Sequence, residues 1–178
     1  FNMYYEIVPM DLSHLSQIAA LERECFSAPW TEAMLEEELY NPQASFIVAE
    51  DDPYRDLRYR GEALPPIKTY DATGHVIYMG SFSKVISPGL RVGYLLAHEE
   101  LLRKCTIGKQ GTDLHTPNLN QAIIDQFLRR DLLDSHVQSI IPGYREKLEL
   151  MLEELSSFPE GTRYTAPEGG LFIFVEMP

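Results

Sequence analysis

The sequence predicts an α/β fold whose sheet is parallel at least in part. Three observations carry that prediction. Short apolar runs rich in β-branched residues, "SFIVAE", "HVIYMG" and "RVGYLLA", alternate with helical patterns. The first two runs deliver polar side chains, "DDPY" and "SFSK", at their carboxyl ends, where open α/β sheets collect ligands. The chain of 178 residues is long enough for one ordinary domain with its own core.

The elements follow in order. "YYEIVP", residues 4–9, reads as a short strand. Asp11 can cap the next helix, where Leu12, Leu15, Ile18, Ala19 and Leu21 give a mostly helical apolar pattern. "SAPW" interrupts it. Thr31 can cap a second helix, with Met34, Leu35 and Leu39 on its apolar side and Glu36, Glu37 and Glu38 solvated. Asn41-Pro42 stops that helix. "SFIVAE" is compact and apolar and reads as a buried strand. Residues 59–72 contain Gly61, Pro65 and Pro66 and read as a loop. "HVIYMG" is a second buried strand and "RVGYLLA" a third. Residues 99–107 and 117–130 read as helices, with Ile123, Ile124, Phe127 and Leu128 facing inward. Residues 135–156 form a long helical stretch, where Pro142-Gly143 marks a kink or a restart. Tyr144 and the stripe from Met151 to Leu155 read as helix packing. "TRYTAP" and "GGLFIFVEM" read as a hairpin or as strands of a separate layer.

Composition narrows the function. The net charge of −12 argues against a general nucleic-acid binder, because neutralising phosphates needs a basic face. No apolar run approaches the ~18 residues of a membrane span. No basic segment followed by an apolar stretch opens the chain, so no secretory signal is expected. Cys25 and Cys105 show no metal-type spacing and fit a reducing cytosol, so a cytoplasmic protein is expected. His14, His75, His98, His115 and His136 are spread out and suggest no metal site. Charge is uneven: residues 1–50 hold nine acids and one base, Arg23, while 51–178 hold eighteen acids and fourteen bases. Such a shift marks a boundary or a solvated acidic helix face.

Lys84, in "GSFSKVISPGLRVGY", admits four readings. It is a solvated lysine at a strand end, a Ser-x-x-Lys acyl-transfer residue, a phosphate-binding lysine, or a Schiff-base lysine. The acyl-transfer motif lacks its Ser-Asp-Asn and Lys-Thr-Gly partners. No Gly-x-x-x-x-Gly-Lys loop supports the third reading. The neighbours favour the fourth. Ser81 and Ser83 offer hydroxyls, and Pro88-Gly89 can turn the chain so that Arg91 meets the same pocket. Two hydroxyls and a guanidinium suit a phosphate dianion, although a plain surface ion pair is the other reading of Arg91. Asp51 and Tyr54 lie beyond another strand's carboxyl end. A carboxylate there can pair with a protonated pyridine nitrogen, and a phenol nearby can bond a ring oxygen. A simple turn is the alternative for "DDPY".

"EDDPYRDLRYRGEALPPIKTYD", "VIYMGSFSKVISPGLRVGYLLA", "KQGTDLHTPNLNQ" and "FPEGTRYTAPEGGLFIFVEMP" closely resemble the class I/II aminotransferases of fold type I. The nearest branch is that of 2-aminoadipate or multi-substrate aminotransferases, which also resembles the enzyme half of certain transcription regulators. The resemblance runs from about Phe46 to Pro178. It implies a partial large domain over 46–133, mostly parallel sheet with flanking helices. A long helix and the start of a small domain would follow over 134–178. It implies pyridoxal 5'-phosphate as cofactor and amino transfer between an amino acid and a 2-oxo acid, in a homodimer. By position, Lys84 matches the Schiff-base lysine and proton shuttle, Asp51 the pyridine-nitrogen partner and Tyr54 the ring-oxygen partner. Ser81, Ser83 and Arg91 match the phosphate cradle. His115 lies in "TDLHTPN", which that family places near its dimer interface; it reads as structural here.

Residues 3–50 resemble instead the start of a GNAT acetyltransferase of the kind that acetylates a ribosomal protein's N-terminal alanine. "ECFSAPWTEAMLEEEL" carries that resemblance, which implies a strand-helix-helix segment over 1–45. The acetyl-CoA loop of that family does not follow. Nor do the aminotransferase family's upstream phosphate turn, stacking aromatic and Asn-Pro-x-Gly motif, or its downstream carboxylate-binding arginine. The expectation is an incomplete or chimeric aminotransferase chain joined near Ser45 to Asp51. N-acetyl transfer and a non-catalytic domain remain the alternatives.

Overall fold

The computed structural model describes residues 10–44 and 47–178. The strand expected at 4–9, and Ser45 and Phe46 of "SFIVAE", lie outside the described residues. Asp11 caps as expected: its carboxylate accepts the Ser13 N–H at 2.8 Å, and His14 Nδ1 accepts the Asp11 N–H at 3.1 Å. A 3-10 turn, Leu12–His14, leads into α1, Leu15–Cys25. Thr31 Oγ1 accepts the Met34 N–H at 3.3 Å and opens α2, Glu32–Leu39, which ends ahead of Asn41-Pro42. Leu15, Ala19 and Leu35 are buried together, with Met10 and Ile18 against them. Met34 is exposed, so the apolar side of α2 is narrower than its pattern suggests.

β1 (Val48–Asp51), β2 (Val76–Ser81) and β3 (Gly93–Leu96) form one sheet with β2 in the middle. β1 and β2 are parallel, with Val48 opposite Val76 and Asp51 opposite Met79. β2 and β3 are antiparallel, with Ser81 opposite Gly93. The expectation of three buried strands needs correction. Only β2 is buried on one face, with Val76 at 0% exposure. Val48 in β1 is 45% exposed, and β3 is exposed along its length. The reason is position: among the described residues β1 and β3 are both edges, each with a single neighbour. The parallel crossover between β1 and β2 runs through the expected loop, which contains a 3-10 turn, Ile67–Tyr70.

α3 spans Glu99–Thr112, longer than its pattern, and begins at His98, whose Nδ1 accepts the Glu100 N–H at 3.4 Å. α4 spans Asn118–Arg129. Of its four expected inward residues only Ile124 is buried; Ile123 and Leu128 are 44% and 41% exposed because that side faces solvent. α5, Leu133–Leu155, runs unbroken through Pro142 instead of restarting. Proline removes one N–H from the ladder, and the buried face of Val137, Leu148 and Leu155 holds the helix on both sides of that gap. β4 (Arg163–Tyr164) and β5 (Val175–Glu176) form a separate antiparallel pair.

The main apolar cluster holds Leu57, Tyr59, Val85, Val137 and Leu148. Tyr144, Leu152, Leu171 and Ile173 pack against it. It therefore joins the loops after β1 and β2 to α5 and to the strand-like segment before β5. Met151 stays exposed, so only part of that stripe packs. No helix among the described residues is long and apolar enough to cross a membrane. No group of three or more potential metal ligands occurs among them.

Candidate functional site

Parallel pairing sets the carboxyl ends of β1 and β2 side by side. Asp51, the last residue of β1, faces Met79, and side chains alternate, so Asp51, Met79 and Ser81 share one face of the sheet. Antiparallel pairing then returns the chain to this end, because Ser81 lies opposite Gly93. Arg91 stands two residues before that pair.

After β2 the chain folds over tightly. The Ile86 and Ser87 N–H groups donate to the Phe82 carbonyl at 2.8 and 3.1 Å. The Phe82 N–H donates to the Val92 carbonyl at 3.1 Å. This turn carries Ser83 and Lys84, and the Ser83 N–H donates to Ser81 Oγ at 3.1 Å. A 3-10 turn, Pro88–Leu90, then presents Arg91 in the left-handed region, φ 54°. Arg91 donates to the Pro88 carbonyl at 3.3 Å. α4 braces the same turn: Asn120 Nδ2 donates to the Leu90 carbonyl at 2.9 Å.

Lys84 Nζ lies 5.8 Å from the centroid of the Tyr54 ring. The Phe172 ring stands perpendicular to that ring, with centroids 5.7 Å apart. Lys84 is half-buried and has no carboxylate within ion-pair distance among the described residues. Arg91 likewise has none there, which disfavours the plain ion-pair reading. Asp51 is exposed at its strand end, while the next carboxylate, Asp52, points to the other face. Asp52 accepts the Tyr78 hydroxyl at 3.4 Å and pairs with Arg55 at 3.5 Å. Burial, then the neighbouring Tyr94 and the Asp52 charge, push the Tyr78 phenol above its ordinary value.

A strap at residues 168–170 packs against the loop after β1. Gly170, at φ 79°, donates its N–H to the Leu57 carbonyl at 2.8 Å. The Glu168 carbonyl accepts the Tyr59 and Arg60 N–H groups at 2.7 and 3.0 Å. The Tyr59 hydroxyl donates to the Gly170 carbonyl, and Arg58 pairs with Glu168. A Cβ on Gly169 would sit 2.6 Å from the Leu57 carbonyl oxygen, so this approach needs glycine. Between the strap and the loop after β1 lies a cleft of about 480 Å³, with Tyr54, Leu57 and Leu64 among its walls.

One sheet end thus gathers a carboxylate, a phenol, two hydroxyls, an amine and a guanidinium. This set suits a phosphorylated pyridine. The fit rests on Lys84 and Arg91, whose charges no described carboxylate neutralises, leaving them for an anion or a carbonyl. Sequence reasoning missed Phe172 and Asn120. The alternation in "GLFIF" separates Phe172 from Leu171 and Ile173, but its contact with Tyr54 is long-range and carries no local signal.

A family model, aminotransferase class I and II, matches residues 37–178. Aromatic-amino-acid aminotransferase 1 of Thermococcus litoralis is 42% identical over 137 residues, 76% of this chain and 33% of its own length. The crystal structure of a multiple substrate aminotransferase from Thermococcus profundus superposes with a TM-score of 0.72 at 39% identity, over 96% of this chain and 38% of that one. LysN, an alpha-aminoadipate aminotransferase from Thermus thermophilus complexed with N-(5'-phosphopyridoxyl)-L-leucine, gives 0.69 at 43% identity, over 74% of this chain and 35% of that one. The chain spans about a third of the length of the curated relatives it matches. None of these matches supports the acetyltransferase resemblance of residues 3–50. Motif order, sheet register and these matches agree, and the chain belongs to the class I and II aminotransferases.

Proposed function

We propose that this chain holds pyridoxal 5'-phosphate at the carboxyl end of its sheet and serves amino-group transfer between an amino acid and a 2-oxo acid. The observation that carries this reading is the juxtaposition of Lys84 Nζ and the Tyr54 ring, 5.8 Å apart, beside Asp51, Ser81 and Arg91. Pyridoxal phosphate, when bound, supplies an electron sink for the substrate's α-carbon. The chain's side chains do the rest. The Asp51 carboxylate pairs with the protonated ring nitrogen. The Tyr54 phenol donates to the ring oxygen. The Ser81 and Ser83 hydroxyls and the Arg91 guanidinium bind the phosphate. Lys84 Nζ would hold the cofactor's carbonyl carbon and would carry the proton moved at the substrate's α-carbon.

Identities of 43% and 39% to LysN and to the multiple substrate enzyme support a place in the 2-aminoadipate or multi-substrate branch. A homodimer, a cytoplasmic location, and a division at 133/134 between large-domain and small-domain parts belong to the same proposal. The free cysteines Cys25 and Cys105 are in keeping with a reducing compartment.

Mixing the chain with pyridoxal phosphate is expected to give a visible absorbance band, and Lys84→Ala to abolish it. A wild-type chain without the band overturns the reading. For residues 1–45 an acetyltransferase-type segment is the alternative reading, with which the helix pair α1 and α2 is compatible. Calorimetry with acetyl-CoA tests it. Heat of binding would support that reading, and its absence would leave residues 1–45 without it.

A further inference from the structure

We infer that Phe172 is a positioning residue for Tyr54, holding the phenol in the direction that the proposed function requires. This rests on the reading of the site given above. Tyr54 follows Asp52-Pro53 in a turn, and its hydroxyl makes no hydrogen bond among the described residues. The ring's orientation is therefore set by packing. The ring packs on the main apolar cluster, and two further contacts bear on its angle: Lys84 Nζ at 5.8 Å from the centroid, and the Phe172 ring, perpendicular to it with centroids 5.7 Å apart. An edge-to-face pair favours one ring angle, because the positive ring edge meets the negative face.

Phe172 is itself firmly placed. Gly170 is tied to the Leu57 carbonyl, and Leu171 and Ile173, its chain neighbours, pack on the main apolar cluster. Strand-like alternation then throws Phe172 outward, where it is 72% exposed. An exposed phenyl does little for the core, and among the described residues its ring partner is Tyr54. The Glu168–Phe172 segment thus reaches across from the far part of the chain and steadies the side chain that faces Lys84.

The test uses the cofactor-loaded chain and reads the pH midpoint of its visible band. Tyr54→Phe removes the phenol and shifts that midpoint. Phe172→Ala is expected to shift it in the same direction by at least about half as much, and the double variant to shift no further than Tyr54→Phe alone. Phe172→Tyr, which keeps the ring, is expected to restore the wild-type midpoint. An unchanged midpoint in Phe172→Ala, or two shifts that add in full, overturns the proposal. Because Phe172 is exposed, the thermal midpoint should barely move, which separates positioning from unfolding. Without cofactor, the Tyr54 ring resonances, identified by their loss in Tyr54→Phe, are expected to move in Phe172→Leu; unmoved resonances overturn the contact. A wild-type chain with no visible band overturns the proposed function and this role with it, while the resonances still report on the contact.

Discussion

Replacing Asp71 by asparagine is expected to destabilise the fold by about 3 kcal/mol, because two charge-assisted hydrogen bonds are lost, each worth about 1.5–3 kcal/mol. Asp71 ends the crossover between β1 and β2, and its side chain is 0% exposed. One oxygen accepts the Thr73, Gly74 and His75 N–H groups at 3.2, 2.7 and 3.1 Å. The other accepts Lys68 Nζ at 2.8 Å and the Val76 N–H at 3.0 Å. An asparagine can keep its oxygen on the first set. Its amide then points two hydrogens at Lys68 and Val76, donor against donor. Lys68 also bonds the Val76 carbonyl and is 25% exposed, so water relieves part of the loss and the lower end of the range applies. Urea unfolding of both chains at pH 7 measures it. With a slope of about 2 kcal/mol/M, the midpoint should fall by about 1.5 M.

The pH dependence sharpens this. The Lys68 ammonium first, then the Val76, His75 and Thr73 N–H groups, hold the folded Asp71 carboxyl well below the usual carboxylate range, against the opposing effect of burial. A depressed folded value contributes stability that is fully present above the unfolded value, about 3.9, and is lost as pH falls through the folded one. The gap between wild type and Asp71→Asn should therefore be constant from pH 7 to about pH 5 and shrink below about pH 4. A gap under about 1 kcal/mol at pH 7, or one as large at pH 3 as at pH 7, refutes the reasoning.

Leu57→Ala should destabilise by about 2–5 kcal/mol in the same urea assay, since Leu57 is 0% exposed at the centre of the main cluster. Gly80→Ala should lose about 1–2 kcal/mol, because the new Cβ would fall 2.3 Å from the Tyr94 ring and force that ring outward; thermal melting reads it. Asn120→Ala should leave the fold intact but free the turn that carries Arg91. Affinity for pyridoxal phosphate, measured by titrating the visible band, should fall about fivefold, the equivalent of one hydrogen bond of about 1 kcal/mol.

The candidate site was legible in the sequence where it depends on local order. Asp51, Ser81 and Lys84 could be set at strand ends because β-branched runs announce strands, and ends are defined by where those runs stop. Helix starts were legible for the same reason: Asp11 and Thr31 cap as their positions suggest. Burial was not. The β3 run is apolar enough for a core strand, yet it is an edge, and edge or centre depends on neighbours far along the chain. Ile123 and Leu128 failed similarly, because a helix's apolar stripe is buried only where another layer covers it. Pro142-Gly143 was expected to kink or restart α5, and the helix does not restart: Val137 and Leu148 pack on one cluster from either side of it.

The same contrast explains what holds the site together. Among the described residues, three strands with β1 and β3 at the edges are a weak platform for side chains placed at their rim. Lys84 and Tyr54 are instead each anchored by a near neighbour in one cluster. Val85 follows Lys84 directly and is buried, and Leu57, whose N–H donates to the Tyr54 carbonyl at 2.9 Å, closes the turn that carries Tyr54. Both anchors, Val85 and Leu57, share one cluster with Val137 and Leu148 of α5. The separation of amine and ring is thus set by a helix that contributes neither group. A cavity-forming change in α5, such as Val137→Ala, should then loosen the Lys84–Tyr54 geometry and weaken cofactor binding, although no side chain of the site is altered. A titration showing lowered stability with unchanged cofactor affinity would place control of that separation in the sheet instead.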